Sequence, residues 1–304
     1  MPEPKNCRQR FTDDYRRYLL QERGLAEVTS IIYVGFAEQF LSNRFGNGDV
    51  RFAELSATDV TNFVQSAAHQ LSSGRAKLLV TALRSLLRYM RYQGEISVDL
   101  ARCVPSVANW SLSTVPKFLP AGTVQRLLDR YGRSTPEGRR NYAVLVLLAR
   151  LGLRACEIVA LNLDDLDWDN GRINVRGKGG RLAQLPLPCD VGEAIALYLR
   201  FGRPRCTCRR VFLRHRAPVR GFAHSITVST IVRRALINAG VDSVRKGAHL
   251  FRHTLATDLL RQGVSLDGIG ELLRHQSPNT TALYAKVDLT ALRTLALPWP
   301  GGAR

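Results

Sequence analysis

The sequence predicts a mainly α-helical protein of two domains, the second of them mixed α+β with a small β-sheet. Three observations predict it. Residues 12–95 fall into four helical runs with recognisable stops. Residues 97–120 hold three prolines, several serines and no sustained period. Between residues 154 and 188 the apolar spacing changes from helical to alternating around a glycine-rich turn. At 304 residues the chain is long enough to build two sizeable cores.

The first run spans Thr12 to Gly24, and the second runs from about Ala26 to Phe45, where "GNG" stops it. The third begins at "SATD", in which Ser56 as N-cap and Asp59 three residues later form a capping-box pattern. In the fourth, "SSGRAKLLVTALRSLLRYMRYQG", Leu79, Leu83, Leu86, Leu87 and Met90 line one face. Lys77, Arg84, Arg88 and Arg91 line another. One side is therefore expected to be core and the other a basic stripe for phosphate contact. Residues 97–119 read as a linker, and a second domain starts near Pro120. Its second helix, "PEGRRNYAVLVLLARLG", has Thr135 as cap and Pro136 at the first helical position. Ile173 and Val175 before "GKGG", and Leu182, Leu185 and Leu187 after it, predict two strands joined at a hairpin with Lys178 at its tip.

Charge narrows the partners. The chain has 44 Lys and Arg against 25 Asp and Glu, a net +19. Residues 1–116 hold 14 basic and 11 acidic side chains, and residues 117–304 hold 30 and 14. Such an excess implies nucleic acid or an anionic surface, with the C-terminal part carrying most of the field. Arginine outnumbers lysine 38 to 6, which suits paired hydrogen bonds to phosphate, although a GC-rich coding sequence gives the same bias. No apolar run approaches the roughly 20 residues of a membrane span. "MPEPKNCRQRF" has no apolar signal-peptide core, so a cytoplasmic location is expected. The six cysteines are scattered, and the Cys206/Cys208 pair has no second pair at zinc-ribbon spacing, so no metal is expected there.

The polar residues of the second half fall in a fixed order. Arg154 lies in "LARLGLRACEIVALNLDDLD", Lys178 in "RGKGGRLAQLPLP", and His249, Arg252 and His253 in "HLFRHTLATDLLRQG". His275 and Tyr284 lie in "LLRHQSPNTTALYAKV", where Ser277 is placed to cap a helix with Pro278 at its first position. Any one block is a weak signal; four in order resemble the tyrosine recombinases, the phage integrases and Xer-type enzymes. The resemblance implies an N-terminal four-helix core-binding domain of SAM-like fold at residues 10–96. It also implies a linker at 97–119, a catalytic domain at 120–296 and a C-terminal tail at 297–304.

The residue types fit that chemistry. A phenol can form a phosphotyrosyl ester that a later hydroxyl reverses, and Tyr284 is the only tyrosine in the last 100 residues. By the resemblance Arg154 and Arg252 meet the charge of the transition state, and Lys178 protonates the leaving 5′-oxygen. His249 assists proton transfer, His275 bonds the phosphate, Glu157 braces the site and His253 buttresses the helix start. Arg274 stands where the family usually has glycine, and adds a phosphate contact.

A zinc reading of His249 and His253 at i, i+4 fails, because Leu250 replaces the general-base glutamate and Arg252 crowds the metal. Neither metal nor nucleotide cofactor is expected. The implied partner is double-stranded DNA with inverted-repeat core sites, held by a homo-tetramer or by a hetero-tetramer with a related recombinase. The chain starts about ten residues before its first helix, which leaves no room for an N-terminal arm-binding domain and suggests a simpler Xer-like or transposon-borne enzyme. The short apolar helix expected in "LTALRTLALPWPGGAR" docks either on a neighbouring protomer or on its own domain. A type IB topoisomerase and a non-catalytic DNA-binding regulator are the alternatives. Intact Tyr284 with both arginines argues against the regulator, and the compact two-domain layout argues against the topoisomerase.

Overall fold

A computed structural model describes residues 7–46, 48, 50–108, 116–177, 180–243 and 246–287, and the chain divides into two units, residues 1–111 and 112–304. The expected tail at 297–304, the apolar helix after Tyr284, Lys178 and part of the expected linker lie outside the described residues. Among those described, no helix is long and apolar enough to cross a membrane.

Among its described residues the first unit has four α-helices, α1 (Cys7–Gln21), α2 (Glu27–Phe45), α3 (Ala57–His69) and α4 (Ser73–Tyr92). The start of α3 is the capping box that the sequence predicts. The Asp59 amide donates to Ser56 Oγ at 3.3 Å, and the Ser56 amide donates to Asp59 Oδ2 at 2.9 Å. Leu79, Leu83, Leu86, Leu87 and Met90 of α4 are at most 2 % exposed and pack with Tyr15, Phe40 and Phe63. The opposite face is less uniform than its charges suggest. Lys77 and Arg88 are exposed. Arg84, however, donates to the Val104 carbonyl at 2.8 Å, and Arg91 pairs with Asp99 at 3.3 Å. Both tie down residues 99–104, which the sequence places in the linker. They instead form a 3-10 turn (Leu100–Cys103) that buries Leu100, Ala101 and Val104 in this core. Three apolar side chains are too few to show a period, and so the segment looks unstructured in sequence.

The second unit begins with α5 (Thr123–Arg130) and α6 (Pro136–Leu151). Thr135 caps α6 by accepting from the Gly138 amide at 3.0 Å. Residues 143–149 of α6 are buried without a break, which follows from its packing against α8 (Cys189–Phe201), α9 (Ile226–Asn238) and α10 (Ala248–Arg261). A short α7 (Ala155–Ala160) leads into an antiparallel sheet of order β1 (Leu166–Asp167), β2 (Arg172–Arg176), β3 (Leu182–Pro186). Ile173 pairs with Leu185 and Val175 with Ala183, and Ile173 and Val175 face the core. Leu182, one of the apolar residues by which the sequence predicts the second strand, is 68 % exposed. It lies three positions from buried Leu185, and in a strand that spacing puts the two on opposite faces. Then follow α11 (Leu266–Leu273), α12 (Pro278–Ala282) and a 3-10 turn (Leu283–Val287).

Gly152 joins this scaffold to the polar residues. It ends α6 in a left-handed conformation (φ 55°), and a Cβ there would lie 2.7 Å from Leu273 Cδ2 and 3.1 Å from Leu255 Cδ2. The backbone and the space both demand glycine. Gly152→Ala should therefore lower stability by about 2–4 kcal/mol, combining the left-handed penalty with overpacking. A urea midpoint unchanged from the wild type would show that the turn relaxes freely.

Candidate active site

The N-terminal turns of α10 place Arg252 in the interior at 3 % exposure. Its Nη1 donates to the Gly152 carbonyl at 2.6 Å, and its Nη2 donates to the Leu273 carbonyl. The guanidinium is thus held between the end of α6 and the end of α11. Burial pulls its pKa down to about 10, helped by the neighbouring Arg154 and Arg274 cations. It remains a fixed cation at neutral pH.

Arg154 occupies the N-cap position of α7, and Glu157 lies one turn on. The Glu157 side chain has no exposed surface. It accepts from Arg154 Nη1 at 2.7 Å, from the Arg154 amide at 2.9 Å and from Arg274 Nη2 at 3.1 Å. Arg154 Nη2 also donates to the Arg274 carbonyl at 3.3 Å. The bracing role expected of Glu157 thus has a definite geometry, with two guanidiniums on one carboxylate. Arg274, expected as a phosphate contact, turns its side chain inward onto Glu157. Its burial lowers its own pKa, and its backbone is left-handed (φ 56°), the only such non-glycine residue among those described.

His275 and Tyr284 complete the cluster. The His275 Nδ1 lies 2.7 Å from Thr281 Oγ1, and its ring runs 7° from parallel to that of Tyr284, with centroids 6.3 Å apart. Burial first, and then the Arg252 and Arg154 cations, bring its pKa down to about 4, so the ring is neutral at physiological pH. Tyr284 sits on the 3-10 turn after α12, not on the helix that the sequence predicts. Ser277 holds the N-cap position of α12 without a side-chain capping bond. The tyrosine is 1 % exposed, and burial pushes its pKa up to about 12, against the pull of Arg252. Its hydroxyl lies 2.9 Å from Nδ1 of His253.

The two histidines of α10 differ in their surroundings. His253 touches the phenol, while His249 is exposed, its ring centroid 6.3 Å from that of His253. Lys178 lies outside the described residues, but the base of its hairpin is close. The Gly177 amide donates to the Arg181 carbonyl at 2.7 Å, and a Cβ on Gly177 would stand 3.9 Å from Glu157 Oε1. Arg154, Glu157, Arg176, Gly177, Arg274 and His275 line a cavity of about 750 Å³. Sequence reasoning missed Thr281 and the carbonyls of Gly152 and Leu273. Backbone acceptors carry no side-chain signal, although a glycine closing an apolar helix just before Arg154 marks the first of them.

Residues 117–290 match the family model described as "Phage integrase family". The putative integrase/recombinase y4rA of Sinorhizobium fredii is 56 % identical over 95 % of this chain and 71 % of its own length. The tyrosine recombinase XerD of Mycobacterium tuberculosis is 33 % identical over 96 % of this chain and 89 % of its own. Among solved structures, the XerH site-specific recombinase bound to palindromic difH substrate in a post-cleavage complex superposes with a TM-score of 0.72. It is 20 % identical, over 93 % of this chain and 83 % of that one, and the likeness is one of fold.

The depressed pKa of His275 has a consequence for stability. Below its ordinary value of 6.5 the unfolded chain takes up a proton that the native state refuses until about pH 4. The native state is therefore expected to lose stability as pH falls through that window. Replacing the ring by glutamine should flatten this acid loss, read as urea midpoints at pH 7, 5.5 and 4.5. Equal losses in His275→Gln and the wild type would place the titrating group elsewhere.

Proposed function

The chain belongs to the phage integrase family of tyrosine recombinases, and from that membership we propose that Tyr284 cuts DNA at a scissile phosphate gripped by Arg154 and Arg252. The enzyme is a site-specific recombinase that cuts and rejoins strands. The observation that carries the residue assignment is the convergence of the Tyr284 hydroxyl, His253, Arg252 and His275 in one buried cluster.

In the proposed step the Tyr284 oxygen attacks phosphorus, an O–P bond forms and the bond to the 5′-oxygen breaks. The enzyme is left on the 3′-phosphate. His253 stands at hydrogen-bond distance and takes the phenolic proton when its own proton is on Nε2, a role that the sequence gives to His249. Lys178 supplies a proton to the departing 5′-oxygen. The arginines offset the charge that gathers on the non-bridging oxygens, and neutral His275 adds a hydrogen bond. The phenol is 1 % exposed, so attack on a DNA phosphate requires a rearrangement that uncovers Tyr284.

Residues 10–96 with the packed segment 99–104 serve as the core-binding domain, where Lys77 and Arg88 present charge to the DNA backbone, and residues 120–296 serve as the catalytic domain. Exchange between two duplexes breaks four strands, each by one tyrosine, which calls for four protomers on paired inverted-repeat sites. The reaction takes place in the cytoplasm.

A nicked duplex carrying the enzyme's core site, found by searching the DNA beside the gene for inverted repeats around a short spacer, tests the nucleophile. Tyr284→Phe should bind it as tightly as the wild type and form no covalent adduct; adduct at the wild-type level would remove Tyr284 from its role. Lys178→Ala should slow cleavage by about 10²- to 10⁴-fold, the usual worth of a general acid. Sulfur in place of the 5′-bridging oxygen, which leaves readily without a proton, should restore its rate. If sulfur restores Arg154→Ala equally, the acid is another residue. Arg88→Ala should lower the log–log salt slope of binding by about 0.9, the loss of one phosphate contact. An unchanged slope would make Arg88 a solvated surface charge. Arg84 is a poorer test because it also holds Val104.

A further inference from the structure

We propose that Arg274 is a positioning residue for Arg154, holding the Glu157 carboxylate and offsetting its charge so that Arg154 keeps its full pull on the scissile phosphate. The inference rests on the reading of this cluster as the DNA-cleavage site.

Three bonds close a ring around Glu157. Arg154 Nη1 donates to Oε1 and Arg274 Nη2 donates to Oε2, while Arg154 Nη2 reaches back to the Arg274 carbonyl. Arg274 therefore holds Arg154 at both ends, through its side chain by way of Glu157 and directly through its backbone. Residue 274 is the left-handed C-cap of α11, and the carbonyl just before it, that of Leu273, accepts from Arg252. A glycine at 274 would adopt this turn more easily. An L-residue held at φ 56° is strained, and such strain persists where the surroundings over-determine it. Here those surroundings are Glu157 and the Leu272 carbonyl, to which Arg274 Nη1 donates at 3.1 Å.

Charge gives the arginine its purpose. A fully buried carboxylate beside Arg154 steadies the guanidinium but also cancels most of its field, because interior charges are weakly screened. With glycine at 274, Arg154 and Glu157 would form a neutral pair. With Arg274 on the other carboxylate oxygen, the group keeps one net positive charge close to Arg252. The function of Arg274 is thus electrostatic and depends on Glu157, which separates it from a surface contact to DNA.

The test is single-turnover cleavage of the nicked duplex by Arg274→Gly, Arg274→Lys and the wild type. Arg274→Gly, which keeps the turn, should bind DNA with unchanged affinity and cleave about 10²-fold more slowly, the scale of losing one preorganised electrostatic contribution. Arg274→Lys should recover most of that loss. On a duplex whose scissile link is a methylphosphonate, neutral where the phosphodiester is charged, the gap between Arg274→Gly and the wild type should fall below about ten-fold. In a Glu157→Gln background the glycine substitution should cost much less, as coupled residues require. Equal rates for Arg274→Gly and the wild type on the ordinary duplex would overturn the inference while leaving the recombinase reading intact. So would a gap that persists undiminished on the methylphosphonate, and that arm needs no change at Glu157. Wild-type protein that forms no adduct would overturn the recombinase reading and this inference together.

Discussion

The Glu157 carboxylate has no solvent to stabilise its charge, and a buried carboxylate without partners is costly enough to reorganise what surrounds it. Its acceptors fix the start of α7 through the Arg154 amide, the direction of the Arg154 side chain, and the inward turn of Arg274. From Arg274 the constraint passes to the end of α11, whose last carbonyl holds Arg252. Arg252 returns it to α6 through Gly152. Helices far apart in sequence thus meet around one anion, and the two guanidiniums proposed to grip the phosphate are held in place by carboxylate and carbonyl acceptors. Preorganisation of this kind lets charge act without reorganisation at the moment of reaction.

The same enclosure keeps the resting site quiet. Burial raises the pKa of Tyr284 and lowers that of His275, so at neutral pH both are uncharged beside arginines that stay cationic. Arg252 draws the phenol back toward ionisation, and His253 stands at its hydroxyl. The phenol itself is only 1 % exposed.

Features with strong local signals could be read from the sequence. The Ser56 capping box, the apolar stripe of α4, the Pro136 start of α6 and the hairpin around residues 177–180 depend on near neighbours in the chain, and their residue types are distinctive. The order Arg154, His249, Arg252, His275 and Tyr284 is legible for the same reason. What escaped involves partners distant in sequence. Arg274 and Glu157 are 117 positions apart, and nothing in "LLRHQ" shows which way the arginine turns. The split between His249 and His253 depends on the rotation of α10 relative to the Tyr284 turn, which helical spacing alone does not set. Arg84 and Arg91 looked like free charges because residues 99–104, which they hold, carry too few apolar side chains to announce a packed segment.

The central claim is that Tyr284 becomes joined to a DNA 3′-phosphate in the field of Arg154 and Arg252. Mass spectrometry of the trapped complex after trypsin and nuclease digestion tests it most directly. Cleavage after Arg274 and Lys286 releases residues 275–286, "HQSPNTTALYAK". The account predicts that the nucleotide mass rides on this peptide, that fragmentation places it on Tyr284, and that the bond is to the 3′-phosphate. A nucleotide on any other residue, or attached through a 5′-phosphate, would contradict it.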